Sequence, residues 1–269
     1  MDKTALAPSI TGTCRLCLNF GELRRSHIIP NALFKRIKQR DAGKGIRFDD
    51  SKESLVEHTS ESWWEYLLCD GCEQRIGLFD KYAVETLRNA HKSGTRRSDG
   101  VLIADLDYAR LKRFFTSLLW RAAISTLPEF DKVRLPEANA EGLRKSLLSD
   151  LALPPRRLAC RIELLYDPTP ALQNGFSGDN LGQLIPSPQA RVRSGRTSFI
   201  FLVNGYLVEI FAPDAPHREW RRLGMLKDEL KLFIPARNIF AVPELKRLLV
   251  AGYGKHAEGR VSESIKRRG

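Results

Sequence analysis

The chain has 269 residues, of which 42% are hydrophobic and 28% are charged, a globular composition with enough apolar side chains for one large or two modest domains. No apolar stretch approaches the eighteen or more residues of a membrane span, and the first residues lack the basic-then-apolar order of a secretion signal, so we expect a cytoplasmic protein that does not bind in a membrane. The formal net charge of +12 is compatible with a polyanionic partner, most often nucleic acid.

Four of the five cysteines form two C-x-x-C pairs, Cys14/Cys17 and Cys69/Cys72. Each pair presents two thiolates from a tight turn, so the two pairs together supply the four sulfurs of one tetrahedral zinc site. In a reducing compartment this spacing favours a metal over disulfides. We therefore predict a structural Zn²⁺ on these cysteines, and a buried apolar position for the remaining Cys160.

The segment Ser26-His27-Ile28-Ile29-Pro30 lies between the two cysteine pairs. We predict a strand over residues 23–29, which Pro30 ends because proline removes a ladder donor, and then a short basic helix over residues 31–38. A zinc ion bound by both pairs would fix the loop that contains this segment.

After the second pair, apolar residues recur at helical spacing and predict a helix over residues 73–87. A cysteine pair, a hairpin with a histidine, a second cysteine pair and a helix follow one another in a treble-clef zinc finger. This order places the first turn of the helix beside the hairpin. We therefore expect His27 and Glu73 to face one another.

These residues resemble the HNH endonucleases, and in particular a set of poorly characterised bacterial and phage proteins with C-x-x-C, Ser-His-Ile-Ile-Pro and C-x-x-C-Glu. The resemblance covers residues 10–125. It implies that His27 is the general base that activates water, and that a catalytic Mg²⁺ or Mn²⁺ binds between the hairpin and the helix. Ser26 stands where the family usually has an aspartate or histidine, and Glu73 stands where it usually has a histidine ligand. Because a carboxylate suits such ions, Glu73 is a candidate ligand of the catalytic cation.

Both candidate catalytic residues also have a structural interpretation. His27 would cap or pack within the hairpin, and Glu73 would favour the positive end of the helix dipole. The asparagine of the family name has no clear counterpart, since Asn31 is close to His27 in the sequence.

The rest of the chain predicts helices followed by an antiparallel sheet. Residues 88–104 predict a linker, because residues 89–100 are polar and contain turn residues. Asp105 or Asp107 is the candidate N-cap of an amphipathic helix that ends before Pro128, and a second helix is predicted over residues 137–151. Strands are predicted over residues 158–166, 191–193, 197–203 and 206–211, and residues 223–250 predict mixed helix broken by Pro235 and Pro243. Asn204-Gly205 is the strongest hairpin signal, because both residues tolerate the positive φ of a type I′ turn.

Together these patterns predict an α+β protein with two parts. Residues 1–100 would form an HNH-like treble-clef zinc module, and residues 101–269 an α+β domain that binds the substrate or a partner. Residues 1–100 contain 17 Lys and Arg against 14 Asp and Glu, so most of the positive excess lies in the second part, a candidate clamp on a phosphate backbone. The alternative is that these basic residues only solvate a surface.

The predicted function is metal-dependent endonuclease cleavage of DNA. The alternative is a zinc-stabilised module without catalytic activity that binds nucleic acid or a protein in a phage or phage-defence assembly. The sequence does not choose between them.

Overall fold

The computed structural model describes residues 10–33, 45–48, 57–59, 62–93, 95–97, 99–149, 152–169 and 176–261. The strands are β1 Thr11–Thr13, β2 Phe20–Glu22, β3 Arg24–His27, β4 Gly45–Phe48, β5 Glu57–Thr59, β6 Trp64–Leu68, β7 Thr95–Arg97, β8 Gly100–Ile103, β9 Ala159–Tyr166, β10 Leu184–Pro186, β11 Gln189–Arg193, β12 Arg196–Val203, β13 Tyr206–Phe211 and β14 Leu232–Asn238. The helices are α1 Asp70–Ser93, α2 Tyr108–Ile124, α3 Glu137–Leu148, α4 Gly178–Gln183 and α5 Pro243–Ala257.

A seven-stranded sheet forms the centre of the fold, in the order β11-β12-β13-β9-β14-β8-β7. Its neighbours are antiparallel except β14 and β9, which run parallel. Asn204 and Gly205 join β12 to β13 with φ of 50° and 79°, as the type I′ turn requires. The mixed α+β class and its C-terminal, mostly antiparallel sheet are therefore confirmed.

The sheet is buried on both faces, because alternate residues of its central strands join two different cores. Phe199 and Phe201 of β12 belong to a large core that includes α1 and α2. Ile200 and Leu202 belong to a smaller core closed by α5. This arrangement follows from the period of two in a strand and explains why β12 and β13 are almost continuously apolar.

Two short antiparallel strand pairs lie next to the cysteine pairs in the N-terminal part. β1 pairs with β2 around the first cysteine pair, whereas β3 pairs with the distant β6, so that His27 lies opposite Trp64. β6 leads directly to Cys69 and α1. The cysteine cluster, the strand pair and α1 are therefore neighbours; the treble-clef assignment and the two-part division of the chain stay predictions.

Several predicted elements differ from those observed. The predicted linker over residues 88–104 contains the end of α1 and the strands β7 and β8. Within residues 223–250, predicted to be mixed helix, residues 232–238 form the strand β14. The helix predicted over residues 31–38 is observed at 31–33, and the rest of it lies outside the described residues. None of the helices in the described ranges is long and apolar enough to cross a membrane.

Part of the positive charge beyond residue 100 is inside the protein. Arg161 donates to Glu219 and Glu209 at 2.6 and 2.5 Å, and Arg191 pairs with Glu209 and Glu244. All five side chains are buried. These arginines neutralise buried carboxylates, so they do not contribute to a phosphate-binding surface.

Candidate metal centre and cleft

The structure brings the four cysteines of the two pairs together. The four Sγ atoms all lie within 4.8 Å of one another, and those of Cys17 and Cys69 are 3.8 Å apart. A tetrahedral site with Zn–S bonds of ~2.3 Å requires sulfur–sulfur separations of about 3.8 Å. The donor set is therefore suited to a metal ion such as zinc.

Backbone hydrogen bonds hold the first cysteine pair close to the second. The Arg15 N–H donates to the Leu67 carbonyl at 2.9 Å, which fixes the first turn against the end of β6. The Leu18 N–H donates to the Cys14 carbonyl at 2.9 Å and closes that turn, with Leu18 at φ 66°. Cys72 lies in the first turn of α1, so the cluster joins a strand end to a helix start.

The thiols of this cluster influence one another strongly. Burial raises the pKa of Cys14, but the backbone N–H groups of Cys69, Cys17 and Leu16 outweigh it and lower that pKa to about 7. Burial, and then the neighbouring thiols, raise the pKa of Cys72 well above its usual value. Without a cation the four groups therefore cannot all be thiolates, whereas a metal ion bound between them would favour the deprotonated form of each.

A cleft of about 330 Å³ lies beside the cluster, between the end of β3, residues 30–32 and one face of α1. His27 and Glu73 both line it, together with Asn31, Asp80 and Arg121. Because Glu73 follows Cys72 directly, the cysteine cluster fixes the end of the cleft at which this carboxylate lies. His27 and Glu73, the two candidate catalytic residues from the sequence, therefore line the same cavity.

Glu73 is partly buried and has both anionic and cationic neighbours. Burial raises the pKa of its carboxyl group, and the Asp80 and Asp70 carboxylates add to the rise, whereas Ser26 and the nearby Arg121 guanidinium act in the opposite direction. Ser26 is fully buried; its hydroxyl donates to the Arg24 carbonyl at 3.4 Å and accepts the Leu68 N–H at 3.1 Å. The serine therefore links β3 to the end of β6 beside Glu73.

An ion pair that the sequence did not predict forms the floor of the cleft. Arg121 of α2 donates to both carboxylate oxygens of Asp80, at 2.8 and 3.0 Å, and to the His27 carbonyl at 2.6 Å. Arg121 is only 1% exposed. Two features of the sequence could have indicated this pair. Arg121 interrupts the apolar face of α2, and Asp80 lies two turns after Glu73 on α1.

Asn31 adds a second oxygen donor to the cleft. Its Oδ1 atom is buried and has no hydrogen-bond partner among the residues that the structure describes. A buried carbonyl oxygen without a partner is costly, so it marks a position where a cation, a water molecule or a substrate donor would be favourable.

Comparisons of the chain with protein-family models, with curated proteins and with solved structures give no match. The molecule is an α+β protein with a four-cysteine cluster suited to a metal ion and, beside it, a polar cleft.

Proposed function

We propose that this protein is a metal-dependent, HNH-like endonuclease that hydrolyses phosphodiester bonds in DNA. The main support is that His27 and Glu73, far apart in the sequence, line one cleft beside the cysteine cluster. An imidazole and a carboxylate are the groups that hydrolysis of a phosphodiester requires, one to accept a proton and one to bind a cation. Zinc on the four cysteines has a structural role in this proposal.

His27 accepts the proton of the attacking water. Arg121 donates a hydrogen bond to the backbone carbonyl of His27 and thereby fixes the end of β3. Arg121 is held in place by its ion pair with Asp80. Arg121 and Asp80 are therefore positioning residues that set the place of the base.

The oxygen donors of the cleft suit a hard divalent cation. Glu73 contributes a carboxylate and Asn31 a carbonyl oxygen, which are the ligand types that Mg²⁺ and Mn²⁺ prefer. Such an ion, when bound, stabilises the charge that develops on the phosphate. Lys81 and Arg88 line the same cleft along α1 and supply positive charge for the phosphate backbone.

The decisive test is nicking of supercoiled plasmid by the zinc-loaded protein with added Mg²⁺ or Mn²⁺. We expect nicking that His27→Ala abolishes and that the matched control His217→Ala, an exposed histidine far along the chain, retains. Absence of nicking with either ion in the intact protein, or nicking that persists in His27→Ala, contradicts the proposal.

A second measurement reports on the cation without depending on cleavage. Mn²⁺ binding, followed by electron paramagnetic resonance, should weaken at least about tenfold in Glu73→Gln, because a neutral amide replaces the anionic ligand. Glu85→Gln, on the same helix and lining the same cleft, is the control and should change binding less. Equal Mn²⁺ binding in the two variants contradicts the role of Glu73.

The alternative function is a zinc-stabilised module that binds nucleic acid or a partner protein, in a phage or phage-defence assembly, without cleaving anything. The Arg121 cation near Glu73 favours this alternative, since it supplies positive charge to the carboxylate without a metal. Binding to DNA that is unchanged in His27→Ala, with no nicking by either protein, would support it.

A further inference from the structure

One face of the β3–β6 pair presents an arginine stacked on aromatic rings. In this antiparallel ladder Arg25 lies opposite Tyr66, and His27 lies opposite Trp64. The Arg25 guanidinium lies 4.4 Å from the centre of the Trp64 ring, and its Nε donates to the Tyr66 hydroxyl at 3.3 Å. The Trp64 and Tyr66 rings meet edge to face, with centroids 5.5 Å apart. We call Arg25, Trp64 and Tyr66 the stacking platform.

The platform reaches solvent. Arg25 is exposed, and Trp64 and Tyr66 are only partly buried. The preceding Trp63, by contrast, is 6% exposed and packs edge to face on Phe130 at 5.3 Å. Alternation along the strand therefore sends one tryptophan into the core and keeps the next at the surface.

Arg25 differs from its neighbour Arg24 in its partners. Arg24 forms ion pairs with Glu22 and Asp70, whereas no carboxylate of the described residues pairs with Arg25. The Arg25 guanidinium lies over an indole ring at the surface, and none of the carboxylates in the described ranges neutralises its charge. A planar cation over an aromatic ring attracts ligands that are both flat and anionic.

We propose that the stacking platform binds an unpaired nucleobase, so that the substrate is single-stranded or locally unpaired nucleic acid. Nucleobases stack on arginine planes and aromatic rings only when they are not buried in a duplex, and the adjoining phosphates are attracted to the arginine. This inference rests on the proposed function for its substrate class. Because His27 is the ladder partner of Trp64, a nucleotide on the platform lies next to the strand end that contains the proposed base.

The test compares three labelled ligands by fluorescence anisotropy, in zinc-loaded protein without added Mg²⁺ or Mn²⁺. The ligands are an oligothymidylate, an abasic strand of the same length and a duplex. We expect the oligothymidylate to bind at least about fivefold more tightly than the abasic strand, the lower end of one stacking interaction. Trp64→Ala should reduce that ratio to about one.

Two arginine variants separate stacking from charge. Arg25→Lys keeps the charge and removes the planar group, so it should lower the ratio, whereas the matched control Arg24→Lys should leave it unchanged. Zinc content and circular dichroism check folding, and Arg25→Lys decides the question if Trp64→Ala does not fold. Equal binding of the two strands by the wild-type protein, or a preference that survives both platform variants, overturns the inference.

The outcomes also separate this inference from the nuclease proposal. Nicking that depends on His27, without a preference for bases over the abasic strand, removes only the platform. A preference that depends on Trp64, without nicking, removes only the nuclease. Failure to bind any of the three ligands overturns both.

Discussion

Replacement of Arg121 by methionine tests the importance of the ion pair under the cleft. The change keeps an unbranched, flexible side chain but removes both hydrogen bonds to Asp80 and the one to the His27 carbonyl. Loss of one partner of a buried pair costs about 3–5 kcal/mol, because the remaining charge is left without compensation. The Asp80 side chain retains 16% exposure, so we expect the lower end, about 3 kcal/mol of unfolding free energy.

The measurement is urea unfolding followed by circular dichroism and tryptophan fluorescence, at a fixed zinc concentration and with coincidence of the two probes verified. The control is Arg134→Met, whose ion pair with Asp131 is 58% and 62% exposed and should be worth at most ~1 kcal/mol. Burial already raises the pKa of Asp80, and loss of Arg121 should raise it further. The folded variant then binds a proton more tightly than the unfolded chain, so its deficit should shrink as the pH falls towards the unfolded value of about 3.9. A deficit no larger than that of Arg134→Met would refute the argument.

Three further predictions concern the metal, a buried lysine and two turns. The purified protein should contain one zinc per chain, measured by mass spectrometry. Cys69→Ser should lose this zinc, whereas Cys160→Ala should retain it. Equal zinc content in the two variants would contradict the four-cysteine site. Burial lowers the pKa of Lys112, so the folded state binds this proton less tightly and the unfolding free energy should rise with pH up to the unfolded value of about 10.4. Lys112→Met should lack that rise in urea unfolding at increasing pH, and parallel curves would be the contrary result. Gly205→Ala should cost about 1–2 kcal/mol of unfolding free energy from its positive φ alone, since its Cβ would meet nothing closer than 3.7 Å. Gly224→Ala should cost at least ~1 kcal/mol more, because its Cβ would collide with a backbone carbonyl of β9; equal losses would contradict this comparison.

Elements specified by neighbouring residues were predictable from the sequence. The β12–β13 turn depends on Asn204 and Gly205 themselves, and the start of α2 depends on the side chain of Asp107, which accepts the Arg110 N–H at 3.0 Å. The turn was predicted correctly, and of the two N-cap candidates, Asp105 and Asp107, the structure has Asp107 at the helix start. Such signals are local, so they are legible without knowledge of the partner elements.

Elements specified by distant pairing were not predictable. β8 is a short apolar run at the end of a polar stretch, and it joins the main sheet because β14 pairs with it from more than 100 residues away. Pro235 argued against a strand, yet it lies where β14 changes partner from β8 to β9, so the missing N–H falls at a break between two ladders. Polar residues and a proline misled the prediction because tertiary context decided the outcome.

The candidate site was only partly predictable from the sequence, because part of it also depends on contacts between distant residues. Spacing of the cysteines predicted a cluster, and the order of the motifs placed His27 near Glu73. Asp80 and Arg121 went unnoticed because each belongs to an otherwise ordinary helix, and their contact spans 41 residues of chain. Roles in catalysis for any of these residues stay predictions.

The bond between Arg121 and the His27 carbonyl has a consequence for how the protein can be divided. A fragment that stops at residue 100 would still contain every cysteine of the cluster, but it would leave Asp80 without its cation and the strand end of His27 without an anchor. Any fragment with an intact cleft must therefore include α2 at least as far as Arg121. During synthesis the cleft cannot be completed until this helix has emerged from the ribosome.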